Sequence, residues 1–258
     1  MRRRRTVPEQ KELKVILIRH TLSPEETIAL GAKLCYSKST IDDLNSKVQE
    51  KDQNQFIERL LSMGHESVFE HAVFTFGIEG VSRVLLAQLT RHRMASFSVQ
   101  SQRYVSYEQG FGYILPPRIA ALGEEAVEEY RREMEQMQIW YRQWQKRLEK
   151  GEGGNEDARF VLPNACETRL MLTMNARELR HFFSLRMCNR AQWEIREMAS
   201  RMHELCMETA PALFADAGPA CLRGKCAEGA KTCGRMEEVR ETRRKLLEKL
   251  GLKQEDFS

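Results

Sequence analysis

Residues 124–150 read EEAVEEYRREMEQMQIWYRQWQKRLEK. Val127, Tyr130, Met134, Met137, Tyr141, Trp144 and Leu148 recur at alternating steps of three and four, which places them along one side of a long α-helix. Gly151, Gly153 and Gly154 stop it. The seam reads as a packing surface. The neighbouring segments mix two periods. KVILIRH at 14–20 reads as a short strand, and Phe74, Phe76 and Ile78 alternate with smaller residues as a second. Ser23-Pro24-Glu25-Glu26 starts a helix, with a capping serine, proline at the first helical position and acids in the first turn. Gln55 to Met63 reads as a short helix with Phe56, Leu60 and Leu61 on one side, closed by Gly64 in a left-handed cap. VSRVLLAQLTRHR at 81–93 has helical character. Beyond the seam, Asn155 to Val161 begins another helix, which LPNA breaks. One helical stretch runs through 175–206, with Pro211 just after it, and the tail from Met236 is an amphipathic helix with Val239, Leu246 and Leu250 inward. Few strands, many helices and no βαβ rhythm predict an α+β fold rather than a doubly wound one.

The chain has 258 residues, 41% hydrophobic, so its length and composition permit a sizeable core. Arg2 to Arg5 carry four of its 41 cations; without them 37 Lys and Arg face 37 Asp and Glu. A protein that holds nucleic acid by counterion release normally has a basic body. This neutral one points its interior arginines at a small, local anion. The Arg run leads into TVPEQKE rather than an apolar stretch, so it reads as a solvated tail and not a secretory signal. No window has the length and apolarity of a membrane span. The expectation is a soluble, cytoplasmic protein.

Seven cysteines are present. Cys35, Cys166, Cys188 and Cys206 read as reduced thiols in apolar or helical segments. Cys221, Cys226 and Cys233 cluster in GPACLRGKCAEGAKTCG and are candidate metal ligands, but their spacing is not that of a usual zinc knuckle, so the reading is no metal site.

Hydrogen-bond donors gather in four places: Gly64-His65-Glu66-Ser67 ahead of Phe69-Glu70-His71; Arg91 to Arg103; Arg159; and Asn175-Ala176-Arg177 with His181 and Arg186. Residues 91–103 (RHRMASFSVQSQR) hold four cations, three serines and two glutamines, with no carboxylate. Guanidinium is the preferred planar donor for phosphates and carbonyl-rich heterocycles, and each charge-assisted bond contributes about 1.5–3 kcal/mol net. Several together suit a nucleotide. The same patch would serve a non-enzymatic anion- or RNA-binding protein, the alternative reading.

Arg91-His92-Arg93, seven residues, then Ser101 resembles the signature of the flavin-dependent thymidylate synthases. The resemblance extends to Gly64-His65-Glu66 with Phe69-Glu70-His71, to Gln88 three residues before Arg91, to Arg159 ahead of Val-Leu-Pro, and to Asn175-Ala176-Arg177, Leu185-Arg186 and Ala191-Gln192-Trp193-Glu194-Ile195. It covers roughly residues 14–215. It leaves residues 1–13 as a basic start, and residues 216–258 as the Cys-bearing loop and final helix. It implies a mixed or antiparallel sheet flanked by long helices. It also implies reductive methylation of dUMP to dTMP with methylenetetrahydrofolate as carbon donor, NADPH as reductant through FAD, and no protein nucleophile. By the same resemblance Ser67, Arg91, His92, Arg93, Asn175, Arg177 and His181 hold FAD. Gln88, Arg91, Ser101, Gln102, Arg103, Arg159 and Arg186 hold dUMP. The resemblance further implies that Arg186 is the catalytic residue at the uracil edge, that His65 lies on the folate side, and that the assembly is a homotetramer with interfacial sites. Two departures stand out. Ser98-Val99 replaces an Asn-Glu common in relatives, removing a carboxylate. His181 replaces a common Asn, so flavin binding gains a titratable donor.

Overall fold

The computed structural model describes residues 7–149 and 151–252; the Arg2–Arg5 run lies outside the described residues. Strands β1 (Glu9–Gln10) and β2 (Lys14–His20) lead into helices α1 (Pro24–Leu34), α2 (Ile41–Gln49) and α3 (Asn54–Ser62). Next come β3 (Val73–Ser82), α4 (Arg83–Leu89), β4 (Ala95–Val99) and β5 (Gly112–Tyr113). Helices α5 (Pro117–Ala120), α6 (Glu124–Arg147) and α7 (Glu152–Ala158) precede β6 (Glu167–Asn175). The chain finishes with α8 (Ala176–Arg186), α9 (Trp193–Thr209), α10 (Pro211–Phe214) and α11 (Met236–Lys249). The expected α+β class is found. Strands β2, β3, β6 and β4 form an antiparallel sheet in that order, and β1 pairs with β5 in parallel. Among the described residues no helix is long and apolar enough to cross a membrane.

The chain divides into two compact units that are not consecutive segments. The first holds Met1–Lys14, Gly77–Arg91 and Phe97–Met171; the second holds Val15–Phe76, His92–Ser96 and Leu172–Ser258. All four strands of the larger sheet have residues in both.

In the first unit, Tyr107, Phe111, Tyr113, Met134, Tyr141, Ala158 and Cys166 form one buried cluster, with Tyr130 and Met137 packed against it. The seam of α6 is therefore real through Tyr141, but it then departs from its apolar period. Gln138 and Gln145 are buried, while Trp144 and Leu148 are exposed. The cause is polar. Gln138 Oε1 accepts from Phe111 N at 3.1 Å and its Nε2 donates to Tyr107 O at 2.8 Å. Gln145 Nε2 donates to Ser106 Oγ, Tyr141 Oη and Asn155 Oδ1 at 2.9, 3.0 and 2.5 Å. Buried polar groups need partners: Gln138 supplies them to loop backbone, and Gln145 to the side chains around it.

In the second unit, Phe74, Phe183 and Phe214 meet edge to face at 5.3 and 5.9 Å, with Ile28, Leu172, Met174 and Phe182 buried. Several local expectations need correction here. Ser23 precedes α1, but its backbone is left-handed (φ 44°) and its side chain makes no cap. In α3 the buried residues are Ile57 and Leu60; Phe56 instead lies under the Lys33 ammonium, 4.7 Å from the ring centre. In α11 the buried residue is Leu247, and Val239, Leu246 and Leu250 are only half-buried. The stretch 175–206 is two helices, because Gln192 Oε1 accepts from Glu194 N and Ile195 N and starts α9 afresh. In the first unit, α7 begins at Glu152, three residues earlier than Asn155.

Candidate active site

Strand β6 delivers its last residue, Asn175, as the cap of α8: Asn175 Oδ1 accepts from Glu178 N at 2.8 Å, and Ala176 N donates to Ala72 O at 2.7 Å. That second bond ties α8 to the turn carrying Ser67 and Glu70. Arg177, in the first turn, pairs with Glu70 at 2.6 Å. His65, Ser67, Arg93, Arg177 and His181 are all exposed, so this part of the second unit offers donors to solvent.

His92 is the exception. It is buried, and both ring nitrogens are occupied. Nδ1 lies 2.9 Å from Glu178 Oε1, and Nε2 accepts from Arg186 Nε at 3.0 Å. The Phe182 ring meets it edge to face at 4.9 Å and His181 at 6.1 Å. Glu178, Phe182 and Arg186 stand four residues apart, one stripe of α8. Burial pushes the His92 pKa down, the Glu178 hydrogen bond opposes it, and the Arg186 and His181 charges add to the depression. A flavin contact through a ring nitrogen would displace one of these bonds. Sequence reading missed Glu178 because it sought donors; the four-residue stripe was the available signal.

In the first unit, Ser101, Gln102 and Arg103 sit in the loop that the α6 glutamines hold. Asn155 Nδ2 donates to Arg103 O at 3.2 Å, and Ser101 Oγ accepts from Arg103 N at 3.2 Å. The Arg103 guanidinium pairs with Glu152 at 2.7 Å, and its Nε lies 3.0 Å from Glu156 Oε2 without hydrogen-bond alignment. Arg159 Nε donates to Glu156 O at 3.0 Å, so the end of α7 brings Arg103 and Arg159 to one place. Gln102 is buried and donates to Cys166 Sγ at 3.5 Å. Gln88 lies half-buried in the last turn of α4, and Arg91 is exposed just beyond it. Exposed ion pairs such as those of Arg103 and Arg177 are worth about 0–1 kcal/mol, so an incoming phosphate can exchange for the carboxylates at small cost.

Cys166, the thiol that Gln102 contacts, is not poised as a nucleophile, and neither is Cys206. Burial pushes Cys166 up to about 12 and Cys206 well above its ordinary value, so both stay protonated at neutral pH. Cys166→Ser is expected to retain turnover within about tenfold, roughly 1.4 kcal/mol of barrier, in a steady-state assay of a folded variant. Complete loss of turnover would mean that a covalent thiol is required.

Cys221, Cys226 and Cys233 are free thiols, and among the described residues no group of three or more His, Cys, Asp or Glu stands where it could hold a metal. Other contacts hold the loop: Arg240 donates to the carbonyls of Cys221 and Gly224 at 3.1 and 3.3 Å, and Cys233 Sγ accepts from Asn189 Nδ2 at 3.8 Å.

A family model described as "Thymidylate synthase complementing protein" matches residues 16–212. A flavin-dependent thymidylate synthase from Geobacter sulfurreducens is 49% identical over 229 residues, covering 88% of this chain and 97% of that protein. One from Clostridium tetani is 44% identical, covering 88% and 96%. Among solved structures, the UMP/dUMP methylase PolB from Streptomyces cacaoi with 5-Br dUMP aligns with a TM-score of 0.65 at 24% identity, covering 80% of this chain and 95% of that one. Thymidylate Synthase X from Helicobacter pylori with FAD and dUMP aligns at 0.59 and 21%, covering 80% and 99%.

Proposed function

The chain belongs to the flavin-dependent thymidylate synthase family, and we propose that it methylates dUMP to dTMP, taking the carbon from methylenetetrahydrofolate and reducing equivalents from NADPH. The observation that carries the reading is the clustering of polar donors, with Cys166, the thiol that Gln102 contacts, held protonated by burial. The alternative of a non-enzymatic RNA-binding patch has no support in the family match.

The donors fit two anionic nucleotides. Exposed Arg93, Arg177 and His181, with Ser67 beside them on the same unit, suit the diphosphate and ring edges of FAD. Bound there, FAD supplies the redox link between NADPH and the one-carbon unit. Ser101, Gln102, Arg103 and Arg159, with Gln88 and Arg91, suit the phosphate and sugar of dUMP. The guanidinium of Arg186 bonds the uracil edge and stabilises negative charge at N3. That charge makes C5 the better carbon nucleophile, by fixed electrostatics rather than by a covalent enzyme adduct. His65 lies on the folate side.

The active assembly is a homotetramer with sites shared between copies. The exposed row of Trp140, Trp144 and Leu148 along α6 supports this, because large apolar side chains four residues apart form a patch suited to another copy of the chain. The test of the whole reading is direct. The purified protein reconstituted with FAD should show a flavin band that responds to dUMP, and dTMP should form when methylenetetrahydrofolate and NADPH are added. If no dTMP appears with every component present, the reading fails.

A further inference from the structure

Arginine carries only donors, so the His92 nitrogen 3.0 Å from Arg186 Nε must present a lone pair. The other ring nitrogen, 2.9 Å from the Glu178 carboxylate, must then carry the proton. The opposite tautomer would set two donors against each other at Nε2 and two acceptors against each other at Nδ1. The imidazolium would do the first. One protonation state satisfies both contacts, and Glu178 selects it.

We propose that Glu178 and His92 are positioning residues for Arg186, joined in a Glu178–His92–Arg186 relay that sets the plane of the guanidinium for the substrate. The five donors of arginine lie in one plane, so fixing Nε fixes the plane in which the others act. The relay is built into one turn and one helix. His92 follows α4 and is buried against α8, and Phe182 walls one edge of its ring. The titratable and charged groups around the ring are Glu178, Arg186 and His181, all on α8. The role given to Arg186 rests on the proposed function. The relay itself does not, because it is a statement about a tautomer.

The experiment uses the FAD-reconstituted protein, Glu178→Leu and Glu178→Gln, with His92→Gln to assign the His92 signals. Two measurements are made: imidazole nitrogen shifts from histidine-labelled protein, and calorimetric dUMP affinity from pH 5 to 8. In the wild type the shifts should show neutral His92 protonated at Nδ1. Affinity for dUMP should weaken as pH falls through the depressed His92 pKa, because the imidazolium loses its bond from Arg186. Glu178→Leu should weaken dUMP binding about tenfold above that limb, the scale of one net hydrogen bond. Glu178→Gln keeps an acceptor for Nδ1–H and should recover most of the loss. It also removes the charge that favours the imidazolium, so its acid limb should move to lower pH. A merely structural glutamate would not move that limb. Nε2-protonated His92 in the wild type, or an unmoved limb in Glu178→Gln, overturns the relay, and the second test holds even if the leucine variant does not fold. A wild type that shows the Nδ1–H tautomer but binds no dUMP and makes no dTMP sinks the functional reading and leaves the relay standing.

Discussion

Arg186→Ala should lose about 10²–10³-fold in dTMP formation, the scale for removing one preorganised donor from developing charge. Its flavin band should persist. Its Nε donates to His92 and, on the proposed assignment, its guanidinium reaches the uracil edge, so its loss strikes substrate activation rather than cofactor retention. The check pairs a visible spectrum with a dTMP assay on the same preparation. A colourless variant that still binds dUMP normally would reverse the assignment and make Arg186 a flavin residue.

Mixing two inactive variants should restore activity. Arg103 belongs to one compact unit and Arg186 to the other. If sites are shared between copies, Arg103→Ala and Arg186→Ala tetramers are each nearly inactive. Unfolded together and refolded as mixed tetramers, some sites receive both intact arginines and others neither. Turnover should then rise well above either parent. Differential tags confirm mixing. Parental activity in confirmed mixed tetramers would place both arginines in a site within one chain.

The parts legible in the sequence share a physical reason. Tyr130, Met134 and Tyr141 announce α6 because apolar burial imposes a period on the chain itself. Gln138 and Gln145 do not, because Gln138 answers orphan backbone groups of a loop some thirty residues upstream and Gln145 answers the buried polar side chains of Tyr141 and Asn155, and periodicity is blind to both demands. The donor clusters stood out as an unusual density of cations and amides. Their acceptors did not, since Glu70, Glu152, Glu156 and Glu178 each look like ordinary surface acids until the fold sets them against Arg177, Arg103 and His92. Ser23 had the right position for a cap and the wrong backbone, and no sequence rule distinguishes the two. Within α11 the apolar face was found, but Leu247 rather than Leu246 is buried, because the choice depends on the helix's rotation against its neighbours.

The interleaving of the two units has a consequence for how the chain acquires its shape during synthesis. The second unit takes residues from near the start, from the middle and from the end of the chain, and the first takes the segment that precedes them and the two that lie between them. A ribosome releasing the chain in order therefore exposes Phe74 well before Phe214, which meets its ring, exists to cover it. Such non-local pairing slows folding and leaves early apolar segments to wait for their partners. For residues 15–76 that wait lasts until the C-terminal third has emerged. Truncation within α9 or α10 should therefore cost this early segment its packing partners as surely as a lesion within it would.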